Sequence, residues 1–143
     1  MTATSHGLTG VAIGVLVQNP LALPLAFASH FLLDAFPHFG LPKRNKLFIA
    51  YLLLDATLTF ALLVWALLFS NQPLLLGGSL ILATSPDVIW AYRWYRELKY
   101  KEPFRDYSDP LTKFHAKIQW FEKPIGLAVE LVWAALMLII IFK

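Results

Sequence analysis

The sequence predicts an all-α integral membrane protein, a single bundle of about five hydrophobic helices over residues 1–143. Three observations carry this. Of the 143 residues, 58% are hydrophobic and only 15% charged, against roughly 25% charged in an ordinary soluble domain. The apolar residues come in long runs: residues 47–70 are 24 residues with one charge, and residues 124–142 are 19 with one charge. About 20 such residues cross a hydrocarbon core of about 30 Å. Finally, 11 of the 12 Lys and Arg residues fall in two segments, as loops on one side of a membrane would have them.

The elements follow in chain order. A first helix is expected over residues 4–17. "QNPLALP" then interrupts it, because Asn-Pro favours a turn. A second helix runs over 20–36 and stops before Pro37, since the residue preceding a proline is pushed out of the helical region. Helices over 47–70 and 74–101 form a hairpin. Within the latter, "ATSPDVIW" predicts a break at Ser85-Pro86-Asp87, with Ser85 as N-cap and Pro86 in the first helical position. The last helix covers 124–142. Fourteen residues at 1.5 Å each reach only about 21 Å, so the first helix is tilted, re-entrant or short of a full crossing.

Lys43, Arg44 and Lys46 flank the hairpin at one end; Arg93, Arg96, Lys99, Lys101, Arg105, Lys113, Lys117 and Lys123 follow it at the other. Both sets therefore share a side, which the positive-inside rule makes cytoplasmic. The basic region 93–123 and the N-terminus lie there, and the C-terminus lies opposite. Aromatic residues between the cations, among them Trp90, Tyr92, Trp94, Tyr95 and Tyr100, suit the lipid headgroup zone. "FHAKIQWFE" reads as an interfacial amphipathic helix or as a loop. Positive-inside loops account for the charge, so nucleic-acid binding is not expected; membrane lipid is the expected partner, with self-association left open. Cysteine is absent, which excludes disulfides, thiolate ligands and thiol nucleophiles. "MTATSHGLTG" has no Lys or Arg, so it does not read as the charged start of a cleavable signal. Neither a phosphate-cradling glycine loop nor a serine-nucleophile motif is present.

Acids inside the apolar runs carry the functional signal. Asp34, Asp55, Asp87 and Glu130 each sit in a predicted helix. A charged side chain at bilayer depth costs roughly 2.5–3.5 kcal/mol on the mildest scale, so each calls for a partner. Counted from the basic segments, all four lie in one layer near the cytoplasmic face, together with His6, His30 and His115. In "SHFLLDAFPHFG", His30 and Asp34 are one helical turn apart on one face, a spacing at which imidazole and carboxylate can bind one metal or orient each other. His38 continues the spacing, but Pro37 interrupts the helix before it. Structural readings stand beside these. His30 and Asp34 can be a packing pair, Asp55 a helix-holding acid, and Asp87 an acid serving a helix dipole. His6 can sit at a solvated helix start, and His115 in an ordinary loop. Glu130 reads as a supporting acid rather than a ligand.

The set "SHGLTG", "SHFLLDAFPHFG", "TSPDVIW" and "FHAKIQ" resembles the small bacterial proteins classed as membrane-bound metal-dependent hydrolases, related by motif to zinc-dependent phospholipase C. The resemblance extends from His6 to His115. It implies a bacterial inner-membrane protein holding a divalent metal, zinc by expectation. Its ligands would be drawn from His6, His30, Asp34, Asp87 and His115, with His38 and Glu130 in support. Asp87 or Asp55 would act as catalytic carboxylate on a metal-activated water. Arg93, Arg96 and Lys99 would attract the phosphate of an anionic lipid. The implied reaction is hydrolysis of a phosphoester such as a lipid headgroup. Two other classes remain open from the residues themselves. One is a non-catalytic assembly or lipid-binding protein. The other is an ion or proton transporter, which the dry far halves of the helices disfavour.

Overall fold

A computed structural model describes residues 1–41, 46–100 and 110–143. Lys43, Arg44, Lys101 and Arg105, placed in basic loops above, lie outside the described residues, as do the side chains of Trp94 and Tyr100. The described chain is helical, with no strand among its residues. In order the helices are α1 (Ala3–Val17), α2 (Ala22–Asp34), α3 (Lys46–Phe69), α4 (Pro73–Thr84), α5 (Val88–Tyr100), α6 (Pro110–Ile118) and α7 (Gly126–Phe142), with a 3-10 turn, Ser85–Asp87, between α4 and α5.

Local chemistry explains the boundaries. Thr2 caps α1, its hydroxyl accepting from the Ser5 amide at 3.1 Å. The helix ends on Gln18, which adopts a left-handed conformation (φ 53°) and donates its amide to the Gly14 carbonyl. The Asn19 side chain then accepts from the Leu21 amide at 2.9 Å, a local turn that sends the chain back as α2. Pro73 opens α4 at a position where a missing N–H costs nothing.

The predicted break at 85–87 takes a different form. Ser85 does not cap a new helix; its hydroxyl donates back to the Leu82 carbonyl at 3.0 Å. Pro86, lacking an N–H, tightens the chain into a single 3-10 turn rather than ending it. The amphipathic stretch is helical only to Ile118. Phe121, at the end of that stretch, belongs instead to a short extended pairing in which His38 and Glu122 form an isolated parallel bridge.

α1 is the central helix, packed against α2, α3, α4 and α7. It meets α4 closely because Gly10 faces it. A Cβ on Gly10 would stand 2.5 Å from the Ser79 carbonyl oxygen and 2.8 Å from the Ala83 side chain. The core between these helices comprises Leu8, Val11, Ala12, Ala66, Leu76, Leu80, Met137 and Ile141. α3 buries only Ala66, although it is apolar on every face; Leu53, Phe60 and Leu68 point outward.

Among the described residues, two helical stretches are long and apolar enough to cross a membrane, Lys46–Phe69 and Pro73–Trp90. The others expected to cross are shorter: α1 has 15 residues, α2 has 13 and α7 has 17. Even α7, at 1.5 Å per residue, is only about 26 Å long, because its first turn begins after the 121–125 segment.

Candidate metal centre

The buried polar residues meet at one end of the bundle, where α1, α3 and α7 begin and α2 and α4 finish. There they divide into two sets.

The first set holds the start of α1. Asp55, reaching from α3, accepts from the Ala3 and Thr4 amides, both at 2.9 Å, and from the Thr4 hydroxyl at 2.6 Å. Glu130, from α7, accepts from the Thr2 amide at 3.1 Å, the Ser5 hydroxyl at 2.8 Å, the Thr2 hydroxyl, and the Phe39 amide at 2.9 Å. These are the donors a helix N-terminus leaves unsatisfied, and carboxylates suit its dipole. Asp55, expected as a possible catalytic acid, is thus committed to seating α1. Glu130 also does structural work, tying α7 to α1 and to the 38–40 segment.

The second set is the candidate site. His30, Asp34, Asp87 and His115 each offer one ligand atom, all within 4.8 Å of one another. α2 supplies His30 and Asp34 from one face of its last turn, the 3-10 turn supplies Asp87, and α6 supplies His115. His30, Asp34 and His115 are buried, whereas the Asp87 side chain is 27% exposed. His30 Nε2 lies 3.3 Å from Asp34 Oδ2, 3.1 Å from His115 Nε2 and 3.6 Å from Asp87 Oδ1. His115 Nε2 lies 2.7 Å from Asp34 Oδ2 and 3.8 Å from Asp87 Oδ1. Phe31 and Trp90 stand against the His115 ring as an apolar wall.

Tautomer logic shows what this arrangement lacks. His30 Nδ1 is 2.8 Å from the Ala83 carbonyl oxygen, an acceptor only, so Nδ1 must carry the proton. In the neutral ring Nε2 is then a lone pair, and it points at two carboxylate oxygens. Converging lone pairs of this kind call for a cation, either a proton or a metal ion. The spacing is compatible with a metal: donors on one tetrahedral ion at about 2.0–2.1 Å stand about 3.3 Å apart, five of the six separations straddle that value, and the Asp34–Asp87 pair lies within 4.8 Å. A backbone carbonyl holding the far nitrogen is also the usual support of a metal-bound imidazole.

His6 is brought to the same place but in another role. Its ring stacks on His30, with centroids 3.9 Å apart, and Nε2 lies 3.1 Å from Asp34 Oδ1, the oxygen that also pairs with the Met1 amino group. It stands outside the four-residue group, and its Nδ1 has no hydrogen-bond partner among the described residues. His38 falls beyond the end of α2 and away from the cluster. Its Nδ1 donates to the Phe36 carbonyl at 2.9 Å, its backbone pairs with Phe121 and Lys123, and burial pushes its imidazole below the ordinary value. Among the expected phosphate-binding cations, Arg93 donates to the buried Thr112 hydroxyl at 3.3 Å. Arg96 and Lys99 lie over the Tyr92 and Tyr95 rings of their own helix.

Besides the Met1 amino group on Asp34, one residue at the site escaped the sequence reading. Gln119, one turn past His115, donates its amide to Asp34 Oδ2 at 2.9 Å. The i, i+4 spacing from His115 was its one available signal.

No family model matches the chain, and no curated protein or solved structure compared with it does either.

Proposed function

We propose that the chain is a membrane-embedded, divalent-metal-dependent hydrolase acting on a phosphoester, with a lipid headgroup as substrate class. The observation that supports this most is the lone pair of His30 Nε2, set by the Ala83 carbonyl and aimed at Asp34 and Asp87. His30, Asp34 and His115 form the tight corner of the site and would hold the metal, zinc being the ion this donor set suits. When bound there, such an ion supplies Lewis acidity and lowers the pKa of water. Asp87 is the looser and more exposed member, placed to accept the proton of an attacking water. Phe31 and Trp90 limit water on one side. The cations of α5 lie near the same end and offer an anionic headgroup its counter-charge.

Elemental analysis of protein purified without chelator tests the reading. About one or more metal ions per chain are expected, lost in His30→Ala and Asp34→Ala. Metal-free wild-type protein would sink the proposal. Hydrolysis of phosphoester headgroups in mixed micelles then tests the reaction.

A second reading has its own support. Four protein donors are enough to close a tetrahedral site, and closed sites are structural. Asp87→Asn separates the two. If Asp87 is the base, metal stays and hydrolysis falls; if it closes a structural site, metal affinity falls and no hydrolysis is found in wild type.

A further inference from the structure

We infer that Gln119 is a positioning residue for Asp34, the donor that keeps Oδ2 aimed into the site when a metal is bound. This rests on the metal reading above. Gln119 follows α6 directly and keeps one turn's spacing from His115, because its backbone amide hydrogen bonds back to the His115 carbonyl at 3.3 Å. Both side chains reach the same oxygen: His115 Nε2 at 2.7 Å and Gln119 Nε2 at 2.9 Å from Asp34 Oδ2.

The two contacts differ in what survives metal loading. A histidine nitrogen that ligates a metal has given up its proton there and cannot donate to Asp34. The His115 contact is therefore lost as a hydrogen bond in the loaded site, and His30 Nε2, already a lone pair, donates none. The Gln119 amide carries its protons in every state. Among the described residues that contact Oδ2, it alone remains a donor throughout. A ligating carboxylate held by an outer donor keeps its direction, and removing such donors typically costs roughly 10–100-fold in metal affinity.

Co²⁺ titration of the full-length protein in detergent tests this, because its visible absorption reports coordination geometry as well as occupancy. Gln119→Leu keeps the size and removes the donor. Gln119→Asn keeps the amide but falls one methylene short, and serves if the leucine variant does not fold. The expected result is roughly 10–100-fold weaker Co²⁺ binding, with an altered visible spectrum and a metal-free thermal midpoint close to wild type. Unchanged affinity and spectrum in the variants would overturn the role of Gln119 and leave the metal site standing. A lowered metal-free midpoint with an unchanged spectrum would do the same, marking Gln119 as packing only. Wild-type protein that binds no Co²⁺ would overturn the metal reading itself, and this inference with it.

Discussion

Two groups of acids lie side by side at one end of this bundle, and they differ in what surrounds them. Asp55 and Glu130 are met by donors: backbone amides and hydroxyls from the first residues of the chain, which quench their charge. Asp34 also has donors, the Met1 amine and Gln119, but it and Asp87 face a histidine lone pair as well. Among the described residues the first group meets donors alone, whereas the second shares its space with a lone pair. All four acids look alike in an apolar sequence. Whether a lone pair also faces them separates the acids that only hold the fold from those that can hold an ion.

Substitutions can break or sharpen this contrast. The largest effect is expected at Asp34, which serves both purposes. Asp34→Ala abolishes stoichiometric metal and, by stranding the Met1 amine, His115 and Gln119, destabilises the protein by about 3–5 kcal/mol; elemental analysis and thermal unfolding in detergent read the two losses. Glu130→Ala comes next. It strands donors on Thr2, Ser5 and Phe39 and costs roughly 2–3 kcal/mol while metal content stays at the wild-type level. Loss of metal here would erase the distinction between the two groups. Asp55→Ala removes one side of the α1 seat and lowers stability by about 1–2 kcal/mol, again with metal retained. The smallest effect is at His38. Its folded pKa is depressed by burial, so the unfolded chain binds the proton more readily. Its contribution is complete above the unfolded value of about 6.5 and is lost as pH falls through that value toward the folded pKa. Thermal midpoints of wild type and His38→Gln between neutral and mildly acidic pH should diverge in that sense.

Much of the helical layout was legible because its signals are local. Asn19-Pro20 and Pro37 act on their own backbone, and an apolar run as long as 47–70 admits few alternatives. The pairing of His30 with Asp34 was legible for the same reason, since one helical turn fixes both. What escaped reading depends on contacts between helices. An acid in an apolar helix announces that it needs a partner but not which one, so Asp55 read as a catalytic candidate although the α1 backbone occupies it. The Ala83 carbonyl, which sets the His30 tautomer, is a backbone atom without a residue signature. Gln119 carries no charge and sits in an amphipathic stretch where an amide looks ordinary. Ser85 followed the pattern of an N-cap, but its hydroxyl bonded backward to Leu82 and let the chain continue.

The two carboxylates that seat α1 come from very different distances along the chain. Ala3 meets Asp55 across 52 residues, whereas Thr2 meets Glu130 across 128. During synthesis the first contact becomes available once α3 has emerged, and the second waits for α7. His115 is added between those two events. The bundle can therefore hold its first helix in place before the candidate site has all its members, and the Glu130 contact arrives last. A chain stopped short of α7 would carry His30, Asp34 and His115 without the Glu130 contacts to the start of α1.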